Sequence, residues 1–470
     1  MIDDLWLTRL LLQRALAFVY LVAFLVTANQ FRALLGERGL LPVPRYVERV
    51  GFREAPSVFQ LRYSDGLAVG LAWAGVVLSG VALSGISERF GTPVSMAVWL
   101  ALWALYLSFV NVGQTWYAFG WETLLLEAGF LAVFLGSAGT EPPEVVVWLY
   151  RWLLFRVMFG AGLIKMRGDP CWRDLTCLFY HYETQPLPNP LSWFLHRSPA
   201  FVHKAGVVFT HVVQLVVPFG YFLPAPFCWV AGGLTVLFQG SLILSGNLSW
   251  LNHLTLVLAI ACFDGLALSW LPMDVPSVGP RALPHEVLVW GLVVLVAVLS
   301  VRPVRNLFSR RQLMNASFEP YHLVNTYGAF GSITRKRFEI VIEGCLDPDP
   351  GPESEWREYE FKAKPGRVDR RPAIVAPYHL RLDWLMWFAA MGTHRQYPWF
   401  VPLLVRLLEG DPATLGLLAR DGNPFPDRPP AAVRARLYLY RFTTPAERRE
   451  TRAWWKRELV GEYVPAVGLG

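Results

Sequence analysis

Apolar residues form long, nearly uninterrupted blocks over the first two thirds of the chain. A helix needs about 20 apolar residues to cross the hydrocarbon core of a bilayer. About nine blocks approach or reach that length: Leu10–Leu34, Leu67–Ser84, Pro93–Val110, Trp121–Gly136, Pro143–Ile164, Phe201–Leu223, Pro226–Leu244, Leu248–Phe263 and His285–Val301. The blocks Trp121–Gly136 and Leu248–Phe263 are short and suit re-entrant or strongly packed helices. The pattern predicts an all-α polytopic membrane bundle of about nine hydrophobic helices over residues 1–302.

The pattern changes after Arg302, where short alternating or amphipathic stretches replace the long apolar blocks. Alternation and β-branched or aromatic content predict strands in "RKRFEIVIEG", "EYEFKAK" and "RARLYLYRFT". The stretches "LRLDWLMWFAAM" and "PWFVPLLVRLLEG" indicate helices that are too short or too charged to span a bilayer. Residues 303–470 are therefore expected to form a small extramembrane α+β domain.

Composition agrees with a membrane protein and excludes several soluble classes. Of the 470 residues, 54% are hydrophobic and 14% aromatic. The net charge of +7 comes from scattered arginines without a long basic run, which argues against nucleic-acid binding. The five cysteines form no CxxC pair, and we expect no cofactor and no metal site. The start "MIDDLWLTRL" lacks the basic region of a cleaved signal, so the first apolar block is expected to be retained.

An odd number of spans places three segments on one side: the loop 35–66, the loop 165–200 and the C-terminal domain. These segments hold almost all the basic residues of the chain. The positive-inside rule, applied literally, assigns that side to the cytoplasm, although the rule is weak for loops that are themselves folded.

The loop 165–200 mixes charges, aromatic residues and prolines, which indicates an ordered surface rather than a spacer. We expect it to dock the C-terminal domain and to contact a client protein or a lipid. The residues that carry this expectation are Arg167, Asp169, Trp172, Arg173, Asp174, Tyr180, His181, Tyr182, Glu183 and Gln185. Pairing of Arg167 with Asp169 or Asp174 would fix the turn.

Three groups in this region are candidates for chemistry. Lys165 ends an apolar block, where it can reach the interface or pair with Asp169 or Asp174, and these carboxylates favour an ion pair over a general base. The residues His181 and Glu183 match no metal-ligand spacing, so a hydrogen-bonded loop histidine is the preferred interpretation. The remaining catalytic alternative uses Lys165, His181 and Glu183 on a lipid or quinone-like substrate.

Two cysteines of the same loop, Cys171 and Cys177, could form a bridge in an oxidising compartment, but two free thiols are expected. Polar residues also lie within the apolar blocks: Glu122, Glu127, Arg151, Arg156, His211, Gln214, Gln239, Asn247, Asn252 and His253. Lipid does not solvate such groups, so we expect Glu127 and Arg156 to pair across helices. A polar cavity lined by these residues is the functional alternative.

Long motifs carry a resemblance to a known family. They are "LIKMRGDPCWRDLTCLFYHYETQPLPNPLSWFLH" (163–196), "NASFEPYHLVNTYGAFG" (315–331), "WREYEFKAKPG" (356–366), "APYHLRLDWLMWFAAM" (376–391), "NPFPDRPPAAVRARLYLYRFT" (423–443) and "WWKRELVGEYVP" (454–465). Their order and content resemble the lipase maturation factor family over nearly the whole chain. The resemblance implies a multispan, chaperone-like protein, not an enzyme, that helps exported lipases or related hydrolases to fold. The eukaryotic relatives would occupy the endoplasmic reticulum membrane, and the Arg-rich composition indicates a bacterial-type member in the inner membrane.

This family's orientation would place the C-terminal domain in the lumen or periplasm, against the count of basic residues. The family pattern has cysteines where Ala363 and Ala373 stand here. The loss of both indicates that a disulfide bridge has been lost, which argues against an oxidising setting for that domain.

A weaker resemblance relates residues 10–302 to the membrane bundle of vitamin K-dependent gamma-carboxylase. There a lysine placed like Lys165, closely after the pair Ala161 and Gly162, serves as the base. The expected partners are the lipid bilayer, an exported lipase or hydrolase client and a lipid-like ligand.

Overall fold

The computed structural model describes residues 5–469, of which the first three hundred are mainly helical. Backbone groups in the apolar blocks must find partners within the chain, because a bilayer core holds no water, and helices achieve this. In chain order the helices are α1 (Trp6–Leu35), α2 (Val43–Val47), α3 (Asp65–Ser84), α4 (Ile86–Arg89), α5 (Thr92–Val112), α6 (Gly120–Ala132), α7 (Glu144–Arg167), α8 (Pro170–Arg173), α9 (Leu178–Thr184), α10 (Pro190–Leu195), α11 (Ala200–Leu215), α12 (Val217–Gly220), α13 (Phe227–Ser245), α14 (Leu251–Ala259) and α15 (Leu283–Phe308).

Within residues 5–469, seven helical segments are long and apolar enough to cross a bilayer. They are Trp6–Leu35, Asp65–Ser84, Thr92–Val112, Glu144–Arg167, Ala200–Gly220, Phe227–Ser245 and Leu283–Phe308. The two blocks already identified as short form α6, with 13 residues, and α14, which continues as the 3-10 turn Ile260–Cys262. The predicted count of nine is therefore approximate, with seven long spans and two short helices.

Contacts at the helix ends define two faces of the bundle. Near the start of α1, Gln13 Nε2 donates to Gly136 O (3.0 Å) after the end of α6, and Thr8 Oγ1 donates to Phe263 O (2.6 Å) after α14. At the other end of α1, Gln30 Nε2 donates to His379 O (2.7 Å) in the C-terminal domain. The short helices α6 and α14 therefore also run from the domain face towards the face where α1 begins.

A four-stranded antiparallel sheet forms the centre of the C-terminal domain, with the order β2-β1-β3-β4. Its strands are β1 (Arg337–Cys345), β2 (Arg357–Glu358), β3 (Ala432–Phe442) and β4 (Trp455–Gly468). The accompanying helices are α16 (Arg381–Ala389), α17 (Phe400–Leu408), α18 (Pro412–Leu415) and α19 (Pro445–Thr451). The predicted fold class, a helical membrane bundle followed by a small α+β domain, is confirmed.

The strand predictions held where hydrophobic alternation was strong. The stretches at β1 and β3 are strands, whereas "EYEFKAK" contributes the end of the two-residue β2 and one isolated bridge, Phe361 with Leu418. Strand β4 was not predicted, because most of its residues are exposed and Gly461 and Pro465 interrupt any alternation. An edge strand with little buried surface carries little periodic signal.

The hydrophobic core runs without a break from the bundle into the domain. Side chains of β1 and β3, including Ile340, Ile342 and Val433, belong to the same buried cluster as the bundle helices. The opposite sheet face packs Tyr440 and neighbouring side chains against Trp193 of the loop 165–200. The predicted division at residue 302 falls inside α15 and stays a prediction.

Candidate functional site

Residues 325–333, which we call the strap, lie along the end of α7 that meets the C-terminal domain. Hydrogen bonds fasten the strap at successive turns: Arg156 Nη1 to Asn325 O (2.8 Å), Lys165 Nζ to Ala329 O (2.8 Å), Trp172 Nε1 to Phe330 O (2.8 Å) and Asp169 N to Gly331 O (2.9 Å). A Cβ atom added at Gly160 or Gly168 would overlap a strap carbonyl oxygen, that of Tyr327 or Gly331. Glycine at these positions permits the close approach of the two backbones.

Lys165 is 4% exposed and has two carbonyl partners, Ala329 O (2.8 Å) and Ala161 O (3.3 Å). Its Nζ lies 5.2 Å from the centroid of the Trp172 ring. Among residues 5–469, no carboxylate lies within ion-pair distance of this amine. The predicted ion pair with Asp169 or Asp174 is therefore wrong, and the side chain is buried against the strap.

Asp169 pairs instead with Arg335, which follows the strap, through contacts of 2.7 and 2.9 Å. These hydrogen bonds lower the pKa of the Asp169 carboxyl to about 2, against the opposing effect of partial burial. Arg167 turns the other way and donates to Gln312 Oε1 (2.7 Å) and Leu307 O (2.7 Å). The predicted pairing of Arg167 with Asp169 or Asp174 is therefore wrong. Arg167 binds residues at and after the end of α15, and Asp169 is paired with Arg335.

A cavity of about 480 Å³ lies between the end of α7, the strap and the surrounding helices. This volume falls in the range of small-molecule sites. Its walls are mainly apolar and aromatic, and they include Trp121, Met158, Trp172, Leu178, Phe209, Phe238, Leu242, Leu248, Trp384, Trp387 and Phe388. Among the lining residues that the structure describes, Lys165 is the one Lys, Arg, Asp or Glu. Uncharged polar residues also contribute: His181, Tyr182, Thr210, Gln214, Gln239 and Asn252.

His181 and Glu183 point to different surroundings. His181 lines the cavity, and its ring packs 5.3 Å from that of Phe330 but makes no hydrogen bond within the described chain. The interpretation as a hydrogen-bonded histidine is therefore wrong. Burial, reinforced by the charge of Lys165, lowers the pKa of His181 to about 4, so the ring is neutral at pH 7.

Glu183 contacts the C-terminal domain, where its carboxylate accepts a hydrogen bond from Phe442 N (2.7 Å). Burial raises the pKa of this carboxyl, and the Phe442 N–H opposes the rise. His196 Nε2 lies 3.7 Å from Glu183, but burial and the charge of Arg197 lower the pKa of His196 to about 4. The contact is therefore not an ion pair at neutral pH.

The loop 165–200 folds into short helices with internal cross-links. Cys171 and Cys177, whose Cα atoms are 4.8 Å apart, form a disulfide, so the expectation of two free thiols is wrong. The turn at the end of α8 brings the two residues together, which spacing alone does not reveal. Other residues named from the sequence make contacts that were not predicted: Tyr180 lies under Arg335 (4.8 Å from its guanidinium carbon), Tyr182 lines the cavity, Gln185 Nε2 donates to Ser245 O (2.8 Å) and Arg173 Nη1 donates to Met166 O (3.2 Å).

The buried polar residues of the bundle form separate contacts rather than one polar cavity. The predicted pair of Glu127 and Arg156 is confirmed, and Tyr327 of the strap donates to the same carboxylate (2.7 Å). Other partners are Arg151 Nε to Ala261 O (2.7 Å), His211 Nε2 with Trp172 O (2.9 Å) and Asn247 Nδ2 to Ala373 O (2.8 Å). Asn252 lines the apolar cavity, and His253 is partly buried on α14.

Two buried arginines that the sequence analysis missed join the domain to the bundle. Arg381 of α16 pairs with Glu122 of α6 at 2.7 Å, with both side chains 0% exposed. Arg337 of β1 donates to the carbonyls of Gln185 (2.5 Å) and Pro186 (2.9 Å) in the loop 165–200. An arginine inside a mostly apolar stretch, as in "HLRLDWLMW", was the available signal.

Comparison with known proteins gives a consistent assignment. The model of the lipase maturation factor transmembrane domain matches residues 7–270, and that of the lipase maturation factor C-terminal domain matches residues 323–465. Lipase maturation factor 1 of Bos taurus is 47% identical, over 98% of this chain and 89% of the relative. The Homo sapiens protein of that name is 43% identical (99% and 88%), and Homo sapiens lipase maturation factor 2 is 31% identical (99% and 83%). No solved structure matches the chain significantly. The chain belongs to the lipase maturation factor family.

Proposed function

We propose that this protein is a membrane-embedded maturation factor that assists the folding of exported lipases or related hydrolases. The observation that carries the proposal is similarity to lipase maturation factor 1 over both the bundle and the C-terminal domain, at 43–47% identity. The contacts between the two parts support a single working unit. The proposed division into residues 1–302 and 303–470 lies in the stretch 271–322, between the ranges that the two family models match.

A client contact fits the open edge of the sheet better than the loop 165–200, because the domain covers much of that loop. Strand β4 ends the sheet, and it exposes Leu459 and Val460, each about half accessible. An unpaired strand edge can add a strand from another chain through backbone hydrogen bonds. A hydrolase that has not finished folding offers such strands.

The Cys171–Cys177 disulfide supports an orientation with the C-terminal domain outside the cytoplasm. Disulfides persist in the periplasm or the endoplasmic reticulum lumen and are rare in the cytosol. The bridge lies in the loop 165–200, on the domain face of the bundle. The opposing count of basic residues weighs less, because folded domains translocate largely regardless of charge. We propose the bacterial inner membrane as the location.

Photo-crosslinking tests the client proposal directly. A photoreactive amino acid at Val460 is compared with one at Phe52, an exposed residue of the loop after α1 on the same face. The expected result is capture of a co-expressed exported lipase by the Val460 probe and not by the Phe52 probe. Deleting the gene should also lower the yield of active secreted lipase. An unchanged lipase yield without the protein would overturn the proposed function.

An enzyme acting on a lipid or quinone-like substrate is the second candidate, and the unpaired amine of Lys165 in the cavity favours it. Arginine does not surrender its proton at accessible pH, so Lys165→Arg would abolish activity that needs a base while the fold persists. A well-folded Lys165→Arg variant that supports normal lipase maturation would count against catalysis.

A further inference from the structure

The cavity beside Lys165 combines one buried cation with an apolar body. A buried ammonium without a counter-charge is unfavourable in a low-dielectric site. The carbonyls of Ala161 and Ala329 occupy two of the three N–H donors of Lys165. Neutral His181 beside it supplies no compensating charge. The remaining N–H donor and the charge are therefore available to an anionic group in the cavity.

The size and walls of the cavity specify what the anionic group is attached to. A volume of about 480 Å³ corresponds to roughly 16 groups of the size of a water molecule, at about 30 Å³ each. A methylene group is of similar size, so the space suits one long hydrocarbon chain rather than two. Aromatic and aliphatic side chains along α11 and α13, including Phe209, Phe238 and Leu242, provide the matching surface.

An opening of the cavity lies on the outer surface of the bundle. Ser241 of α13 lines the cavity and is exposed, next to partly exposed Leu195 of α10 and Gly206 of α11. The outward faces of α11 and α13 are apolar, with exposed Phe201, Val208, Val212, Leu237 and Leu244. Such faces contact lipid in a membrane bundle. A ligand dissolved in the bilayer can therefore enter sideways between these helices.

We propose that the cavity binds a single-chain amphiphile with an anionic headgroup, a carboxylate or a phosphate, which pairs with Lys165. The tail lies along α11 and α13, and His181 hydrogen-bonds the headgroup. Because the strap also uses Lys165, the bound headgroup is held where the bundle meets the C-terminal domain. This site is independent of the proposed client contact at β4 and is tested without any lipase.

The test uses the full-length protein in phosphatidylcholine nanodiscs. The probes are a diazirine-labelled long-chain fatty acid and the fatty alcohol of the same chain length, with labelled peptides mapped by mass spectrometry. The acid is expected to label α11 and α13 at the cavity, and the alcohol much less. Lys165→Met should weaken labelling by the acid about ten- to hundredfold, the range for losing a charge-assisted hydrogen bond. Lys204→Met, which removes an exposed cation of α11, should change neither.

Competition identifies the headgroup: displacement by oleate indicates a carboxylate ligand and displacement by oleoyl lysophosphatidate a phosphate ligand. Failure of both competitors would overturn the proposal, as would equal labelling by acid and alcohol or full labelling of Lys165→Met. Because Lys165→Met can loosen the strap, Ser241→Trp provides a second variant that blocks the opening and leaves Lys165 intact. Undiminished cavity labelling in Ser241→Trp would exclude the proposed entry and the site with it.

Discussion

Removing the charge of Arg381 tests whether the buried pair with Glu122 holds the domain on the bundle. Both side chains are fully buried, and Arg381 also donates to Trp116 O (2.5 Å) and stacks over Tyr117 at 3.5 Å. Arg381→Met leaves the Glu122 carboxylate without its counter-charge. Breaking a buried pair in this way costs about 3–5 kcal/mol of unfolding free energy.

The assay is equilibrium unfolding of the purified protein by a denaturing detergent, with a double-mutant cycle. Glu122→Gln combined with Arg381→Met removes both charges and should cost less than the sum of the two single losses, because the double variant leaves no unpaired ion whereas each single variant does. Arg367→Met is the matched control. Arg367 and Asp369 form an exposed pair (59% and 55% exposed), so the loss there should be about 0–1 kcal/mol. Strict additivity, or an Arg381→Met loss no greater than that of Arg367→Met, would refute the reasoning.

Further outcomes follow from the contacts around the strap. The pKa of Asp169, about 2, lies below its unfolded value of about 3.9. Its pair with Arg335 therefore stabilises the fold above roughly pH 4, and this stabilisation is lost as the pH falls towards 2. Asp169→Asn should lack this loss of stability between pH 4 and pH 2. Alkylation of the unfolded, unreduced protein should modify three cysteines, leaving Cys171 and Cys177 protected until reduction; five modified residues would exclude the disulfide. Reporter fusions should place the two termini on opposite sides of the membrane, and a shared side would remove one pass. Limited proteolysis should not release the domain from membranes, and ready release after cleavage at 302–311 would contradict its docking.

The elements that could be predicted from the sequence are those with a strong repeating pattern. Long apolar blocks predicted the spans, and the charge pair of Glu127 with Arg156 followed because lipid leaves a buried charge no other partner. The same reasoning failed at Lys165, where it assigned the nearest carboxylates in sequence. In the structure Asp169 pairs with Arg335, which lies 166 residues away, and no local sequence pattern predicts that pair.

The cavity could not be predicted from the sequence for a related reason. Its walls come from the bundle helices, the loop 165–200, the strap and α16, so it exists only once these elements have packed together. Polar residues within apolar blocks suggested a polar cavity, but most of them are satisfied elsewhere, as Arg151 is by Ala261 O. The signal that remained was the pair of glycines at positions 160 and 168, where the backbone of the strap approaches α7 closely.

The order of synthesis delays the contacts between α7 and the strap, because the strap lies far along the chain from α7. Arg156 receives its strap acceptor from a residue made 169 positions later, and Lys165 from one made 164 positions later. At about 5–20 residues per second, a ribosome takes roughly 8–34 s to cover that interval. During this interval Arg156 has its earlier partner Glu127, but Arg156 and Lys165 both lack their strap carbonyls. The packing around the end of α7 is therefore completed late, after α15 has been translated. A nascent chain halted at residue 310 would therefore hold a bundle that still lacks the segment that completes its central helix.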